Sequence, residues 1–166
     1  MTQARVVDLR SRTHARHASR RALGPDYDLV GVAGEMAFAR QFELAIDQGV
    51  HPAGDRGVDF VTPAGTVDVK TYRRPLNLLR EAGKQHADIL VLARFDDKTG
   101  EAELVGWEYD SEMRACPVKD FGFGVKNHYR AAEQLRPIAE LHDSCRPRLP
   151  CGASAVERAE GSKGRG

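Results

Sequence analysis

The stretch GDRGVDFVTPAGTVDVKTYRR, residues 54–74, puts Asp59, Asp68 and Lys70 where strands ordinarily carry valine or threonine. Two short apolar runs, Gly57 to Val61 and Thr66 to Tyr72, flank Thr62-Pro63-Ala64-Gly65, where proline suits the second turn position and glycine the fourth, so a hairpin is expected. Strand side chains alternate faces, which sends Asp68 and Lys70 one way and Val67, Val69 and Thr71 the other. A two-residue turn at Pro63-Ala64 sets Asp59 opposite Asp68, and one at Ala64-Gly65 sets it opposite Lys70. In either register Asp59, Asp68 and Lys70 share a face, while Val58 and Phe60 join the valines. Directly opposed Cβ atoms lie about 4.5–5.5 Å apart, and like charges there are destabilising. Lys70 supplies one compensating charge. A divalent cation that takes oxygen ligands and keeps open water positions, Mg2+ or Mn2+, would supply two more.

A third acid belongs to the preceding segment. From Tyr27 to Asp47 the apolar positions Leu29, Val32, Ala33, Met36, Ala37, Phe38, Phe42, Leu44, Ala45 and Ile46 fit a helix with a broad buried stripe, and Gly49 stands just past its end as a stop. Glu35 sits in VAGEMAFARQF among apolar neighbours. If the helix packs through Val32, Met36 and Phe42, Glu35 reaches the edge of the acidic face; otherwise it is an early-helix acid favoured by the helix dipole. After the hairpin, Pro75 to Gln85 is expected as a short helix or irregular connection. ADILVLARF, Ala87 to Phe95, is nearly continuous apolar, as a strand buried on both faces should be. DDKTG turns the chain, AELVGWEYD returns as a strand, Asn127 to Ala131 is a last strand, and AEQLRPIAELHD is a closing helix interrupted near Pro137. This order predicts an α/β sandwich with a mixed sheet flanked by helices.

These residues resemble the PD-(D/E)XK nuclease superfamily: a helical Glu35, Asp59 in a first strand, Asp68-Val69-Lys70 in a second, then a connection and the apolar strand ADILVLA. The resemblance spans about residues 30 to 95 and implies a restriction-endonuclease-like α-β-β-β-α-β core. It implies Asp59 and Asp68 as metal ligands, a third ligand from the Val69 carbonyl, and Glu35 binding a metal or its water. Lys70 would position and activate the attacking water or stabilise charge on phosphorus. The implied activity is Mg2+- or Mn2+-dependent hydrolysis of phosphodiesters in DNA. The alternatives are a Holliday-junction resolvase acting as a homodimer, or a non-catalytic nucleic-acid-binding protein on the same scaffold. Val58 stands where the family's proline would precede Asp59, and Asp55 in GDRG competes for the first acid. A second acid-x-lysine match, Asp96-Asp97-Lys98, lies in a turn without strand alternation and reads as solvated.

The net charge of +1 conceals an asymmetry: residues 1–30 carry +3, residues 144–166 carry +3, and the body between them −5. Basic arms follow phosphate backbones, whereas an acidic body repels them unless a cation intervenes. The division is a basic arm over 1–26, a nuclease-like domain over 27–143 and a flexible basic tail over 144–166. Arg16, Arg20 and Arg21 of the arm, with Arg73 and Arg74 beyond Lys70, are the candidate phosphate contacts. Gln85 and His86 are near enough in sequence to reach the site. No apolar run approaches the roughly 18 residues of a membrane span and the start lacks a signal peptide's apolar segment, so a cytoplasmic protein without membrane partners is expected. Cys116, Cys145 and Cys151 follow no CxxC spacing and read as free thiols.

Overall fold

The computed structural model describes residues 26–46, 57–74, 77–122 and 124–145. Arg16, Arg20, Arg21 and Asp55 lie outside the described residues. Helix α1, Tyr27–Phe42, has Asp28 in its first turn and Arg40 in its last, each favourable to the helix dipole. It stops short of the expected end at Asp47. Glu43 takes a left-handed conformation (φ 55°, ψ 40°), and Leu44 N–H closes onto Ala39 O at 2.9 Å. Leu44 and Ile46 then pack against the core instead of continuing the helix, and this burial offsets the left-handed backbone of a residue that is not glycine.

Seven strands follow: β1 Phe60–Thr62, β2 Gly65–Tyr72, β3 Asn77–Glu81, β4 Ile89–Asp96, β5 Glu101–Tyr109, β6 Val118–Asp120 and β7 Lys126–Ala131. A short helix α2, Asp110–Met113, separates β5 from β6, and a 3-10 turn at Ala132–Gln134 leads to α3, Ile138–Cys145. One sheet has the order β1-β2-β4-β5, with β2 and β4 parallel and the outer pairs antiparallel. The other has the order β3-β7-β6 and is antiparallel throughout. The mixed α/β class read from the sequence is therefore present.

β4 organises the layers. Ile89, Val91 and Ala93 join Phe38, Phe42, Phe60, Val67, Val69 and Trp107 under α1 and α3, whereas Leu90 and Leu92 join Leu78 and Met113 on the opposite side, under the second sheet. Phe38 bridges helix and hairpin, stacking on Phe42 at 4.2 Å and tilting against Phe60 at 4.9 Å. Both faces of β4 are dry, which is why its sequence is apolar without alternation.

The connection expected as a short helix or irregular stretch over Pro75 to Gln85 contains strand β3 instead. Leu78 and Arg80 are its buried positions, and the strand pairs with β7. Leu76, Leu78 and Leu79 fit either period, and the deciding partner of Arg80 is Asp110, thirty residues on. β6 also escaped the sequence reading, because all three of its residues are exposed and only its pairing with β7 makes it a strand.

Candidate active site

Hairpin register decides which charges meet. Thr62 closes the turn, its Oγ1 donating to Gly65 O at 2.8 Å and accepting from Ala64 N–H at 3.2 Å. The pairs are then Phe60 with Val67, Val61 with Thr66 and Thr62 with Gly65, and Asp59 N–H also reaches Val67 O at 2.8 Å, so Asp59 and Phe60 both stand against Val67 as in a β-bulge. Of the two registers open to the sequence, the turn at Pro63-Ala64 is the one formed, but the bond from Asp59 N–H to Val67 O shifts Asp59 out of the expected place directly opposite Asp68. Phe60, Val67 and Val69 are buried beneath α1, so Asp68 and Lys70 occupy the other face, as alternation requires.

The carboxylate of Asp59 turns back onto β2. Its Oδ2 accepts Val69 N–H at 2.7 Å, which replaces a strand partner at a level of β2 where β1 has not yet begun. The N–H and C=O of one strand residue point to the same side, so the Val69 carbonyl also points toward this edge, while Asp68 and Lys70 turn their peptide groups to β4. Gly57 has φ +72°, and a Cβ there would lie 3.6 Å from Asp68 Oδ2. A left-handed residue without a side chain thus brings the incoming chain against that carboxylate.

Lys70 Nζ stands 2.6 Å from Asp68 Oδ2; the Asp68 side chain is 4% exposed and that of Lys70 32%. Partial burial works against the ammonium, but Asp68 in contact, helped by Tyr72 and Asp59, outweighs it and holds Lys70 protonated above the usual lysine range. At neutral pH the group is held as the ammonium.

Glu35 is 3% exposed on α1. Successive helical residues turn by about 100°. Ala33 and Arg40 border the groove against Ala102 of β5, and Gly34 meets Thr71 of β2. Glu35 therefore leaves the helix on the flank away from that groove, toward the side of β2 that lies ahead of the start of β1. Among the described residues no three His, Cys, Asp or Glu side chains are grouped closely enough to hold a metal ion by themselves. What converges is the pair Asp59 and Asp68, the Val69 peptide and Lys70, with Glu35 on the adjoining flank.

The flanking arginines separate. Arg73 donates to Asp97 Oδ1 at 2.6 Å and also pairs with Asp26, and its guanidinium lies 5.1 Å from the Phe95 ring centre. It joins the start of α1 to the β4–β5 turn. Arg74 is exposed. Within the second acid-x-lysine match, Asp96 Oδ1 accepts Lys98 N–H at 2.8 Å at the surface, a turn contact as expected. Gln85 is exposed, and His86 Nε2 meets Glu81 O at 2.9 Å. Cys116 and Cys145 are free thiols; Cys145 is buried beside Thr62, and burial raises its pKa.

Sequence reasoning missed one acid of this face. Glu108 is paired through Leu90 to the level of Asp68, two strand spacings or about 10 Å away. It is 1% exposed and is held by Arg130 of β7 and by Arg136 Nε at 2.9 Å. Its work is to fasten the second sheet and the 132–137 segment to β5. A glutamate inside the apolar run LVGWEY was the available signal. No family model, no curated protein and no solved structure matches the chain.

Proposed function

We propose that this chain is a metal-dependent nuclease that hydrolyses phosphodiester bonds in DNA, on a restriction-endonuclease-like core. The observation that carries the reading is the edge of β2 beside Asp59, where the Asp59 carboxylate on the Val69 peptide adjoins the contact of Asp68 with a charged Lys70. The donor set is hard oxygen, which suits Mg2+ or Mn2+, cations commonly held by one or two carboxylates together with waters and substrate phosphates. Asp59, Asp68 and the Val69 carbonyl would hold the ion, with Glu35 orienting its water; bound there, the ion supplies a hydroxide-generating Lewis acid near neutral pH. The chain's own residues do the remainder. Asp68 orients Lys70, and the ammonium neutralises charge that develops on the phosphoryl oxygens, a role needing no proton transfer. Val69 N–H fixes the Asp59 rotamer. Leu90 and Leu92, beside Asp68 and Lys70 on β4, keep the floor of the site apolar and strengthen these electrostatic contacts.

Incubating the full chain with labelled single strands, duplexes, flaps and four-way junctions, with EDTA, Mg2+ or Mn2+, tests the reading. Cleavage of DNA that requires the metal is expected. Binding without cleavage under every condition would replace it with a nucleic-acid-binding scaffold, and paired cuts across a junction would redirect it to a resolvase.

A further inference from the structure

Helix α1 crosses β2 at a glycine. A Cβ on Gly34 would lie 1.9 Å from Thr71 Oγ1, 3.1 Å from Thr71 Cβ and 3.3 Å from Ala93 Cβ. Glycine is among the poorest residues for a helix interior, and Gly31, one turn earlier, has nothing within 4 Å of such a Cβ. Of the two glycines in this helix, only Gly34 is demanded by packing. On the strand side, Thr71 Oγ1 is buried with no hydrogen-bond partner among the described residues, so the hydroxyl meets the helix as bulk. Rotating Thr71 would still leave the contacts to its Cβ and to Ala93.

We infer that Gly34 is a positioning residue: lacking a side chain, it lets α1 seat directly on Thr71 and Ala93, and this seating sets how far Glu35, the next residue, extends over the open edge of β2 toward Asp59 and the Val69 carbonyl. The inference rests on the nuclease reading of that edge. Any side chain at position 34 lifts the helix and carries Glu35 away while the hairpin itself stays intact.

Calorimetric titration of the full-length chain with Mn2+ alone, with melting curves in EDTA beside it, tests this. Gly34→Ala should weaken Mn2+ binding roughly tenfold or more, the range for residues that orient metal ligands. Adding Thr71→Ala should restore most of the affinity, because the 1.9 Å clash disappears and small shifts relieve the other two. Adding Thr71→Val should restore none, because a methyl group then stands where Oγ1 stood. In a Glu35→Gln background Gly34→Ala should cause no further loss, an epistasis that a purely structural glycine would not produce. Should Gly34→Ala fail to fold, the two double variants carry the test: the Thr71→Ala pair folds and binds Mn2+, and the Thr71→Val pair does neither. Equal Mn2+ affinity of Gly34→Ala and wild type, equal rescue by alanine and valine, or additive losses with Glu35→Gln would each overturn the inference. Absence of Mn2+ binding by wild type overturns the nuclease reading as well, whereas wild-type binding that Gly34→Ala leaves unchanged overturns the positioning role alone.

Discussion

Asp68 and Lys70 lie two residues apart on one strand with Oδ2 and Nζ 2.6 Å from each other, the carboxylate nearly enclosed and the ammonium one-third exposed. A pair at this spacing on a strand lines up along one face, so the contact follows from the period of two. Its consequence is electrostatic. The contact with the carboxylate favours the charged form of the lysine.

Replacing Lys70 with methionine keeps the stem and removes the charge. Cleavage should fall by about 10²–10³, the usual cost of losing one charge-stabilising group, while Mn2+ still raises the melting temperature by binding the native state. Because the lysine pKa is raised, the stabilisation from its pair is fully present below the unfolded value of about 10.4 and is lost only as pH climbs through the higher folded value. Between pH 6 and 9 the difference in melting temperature between wild type and Lys70→Met should therefore stay flat. A difference that collapses in that window, or wild-type turnover by the variant, contradicts the charged-lysine role.

Asp110 anchors the second sheet. Burial opposes its ionisation, but Arg80 and Arg114 outweigh burial and bring its pKa below the usual carboxylate value. A depressed carboxylate contributes stability above its unfolded pKa of about 3.9 and loses that contribution as pH falls through the lower folded value. Asp110→Asn leaves Arg80, whose side chain is 5% exposed, without its counter-charge, and should cost about 3 kcal/mol at pH 7. Denaturant melts at pH 7 and pH 3 should show this deficit shrinking in acid; a deficit independent of pH would mean that packing and not charge holds the joint.

The two arginines after the lysine strand should behave differently toward DNA. Arg73 is occupied by Asp26 and Asp97, so Arg73→Ala should change stability little, as for exposed ion pairs, and leave the salt dependence of DNA binding unchanged. Arg74 is exposed, and Arg74→Ala should lower the slope of log affinity against log salt by about 0.9 on duplex DNA. Fluorescence anisotropy across a salt series distinguishes them. The opposite ranking would show that DNA displaces the carboxylates from Arg73.

The sequence by itself determined the local geometry: alternation put Asp68 and Lys70 on the face away from Val67 and Val69, turn chemistry joined the strands, and the unbroken apolar run Ile89 to Ala93 announced a strand dry on both sides. Each of these follows from neighbours within a few residues. Tertiary structure decided what rests on distant partners. The choice between two hairpin registers fell to the Thr62 turn and to the packing of Phe60 on Phe38. Residues 77–81 became a strand because β7 supplies its hydrogen bonds and Asp110 neutralises Arg80. α1 ended at Phe42 because Leu44 and Ile46 found the core. The reach of Glu35 depends on a glycine meeting a threonine on another element. Local backbone preference and side-chain period are written in consecutive residues, whereas burial of a charge and the close approach of a helix to a strand depend on partners far along the chain.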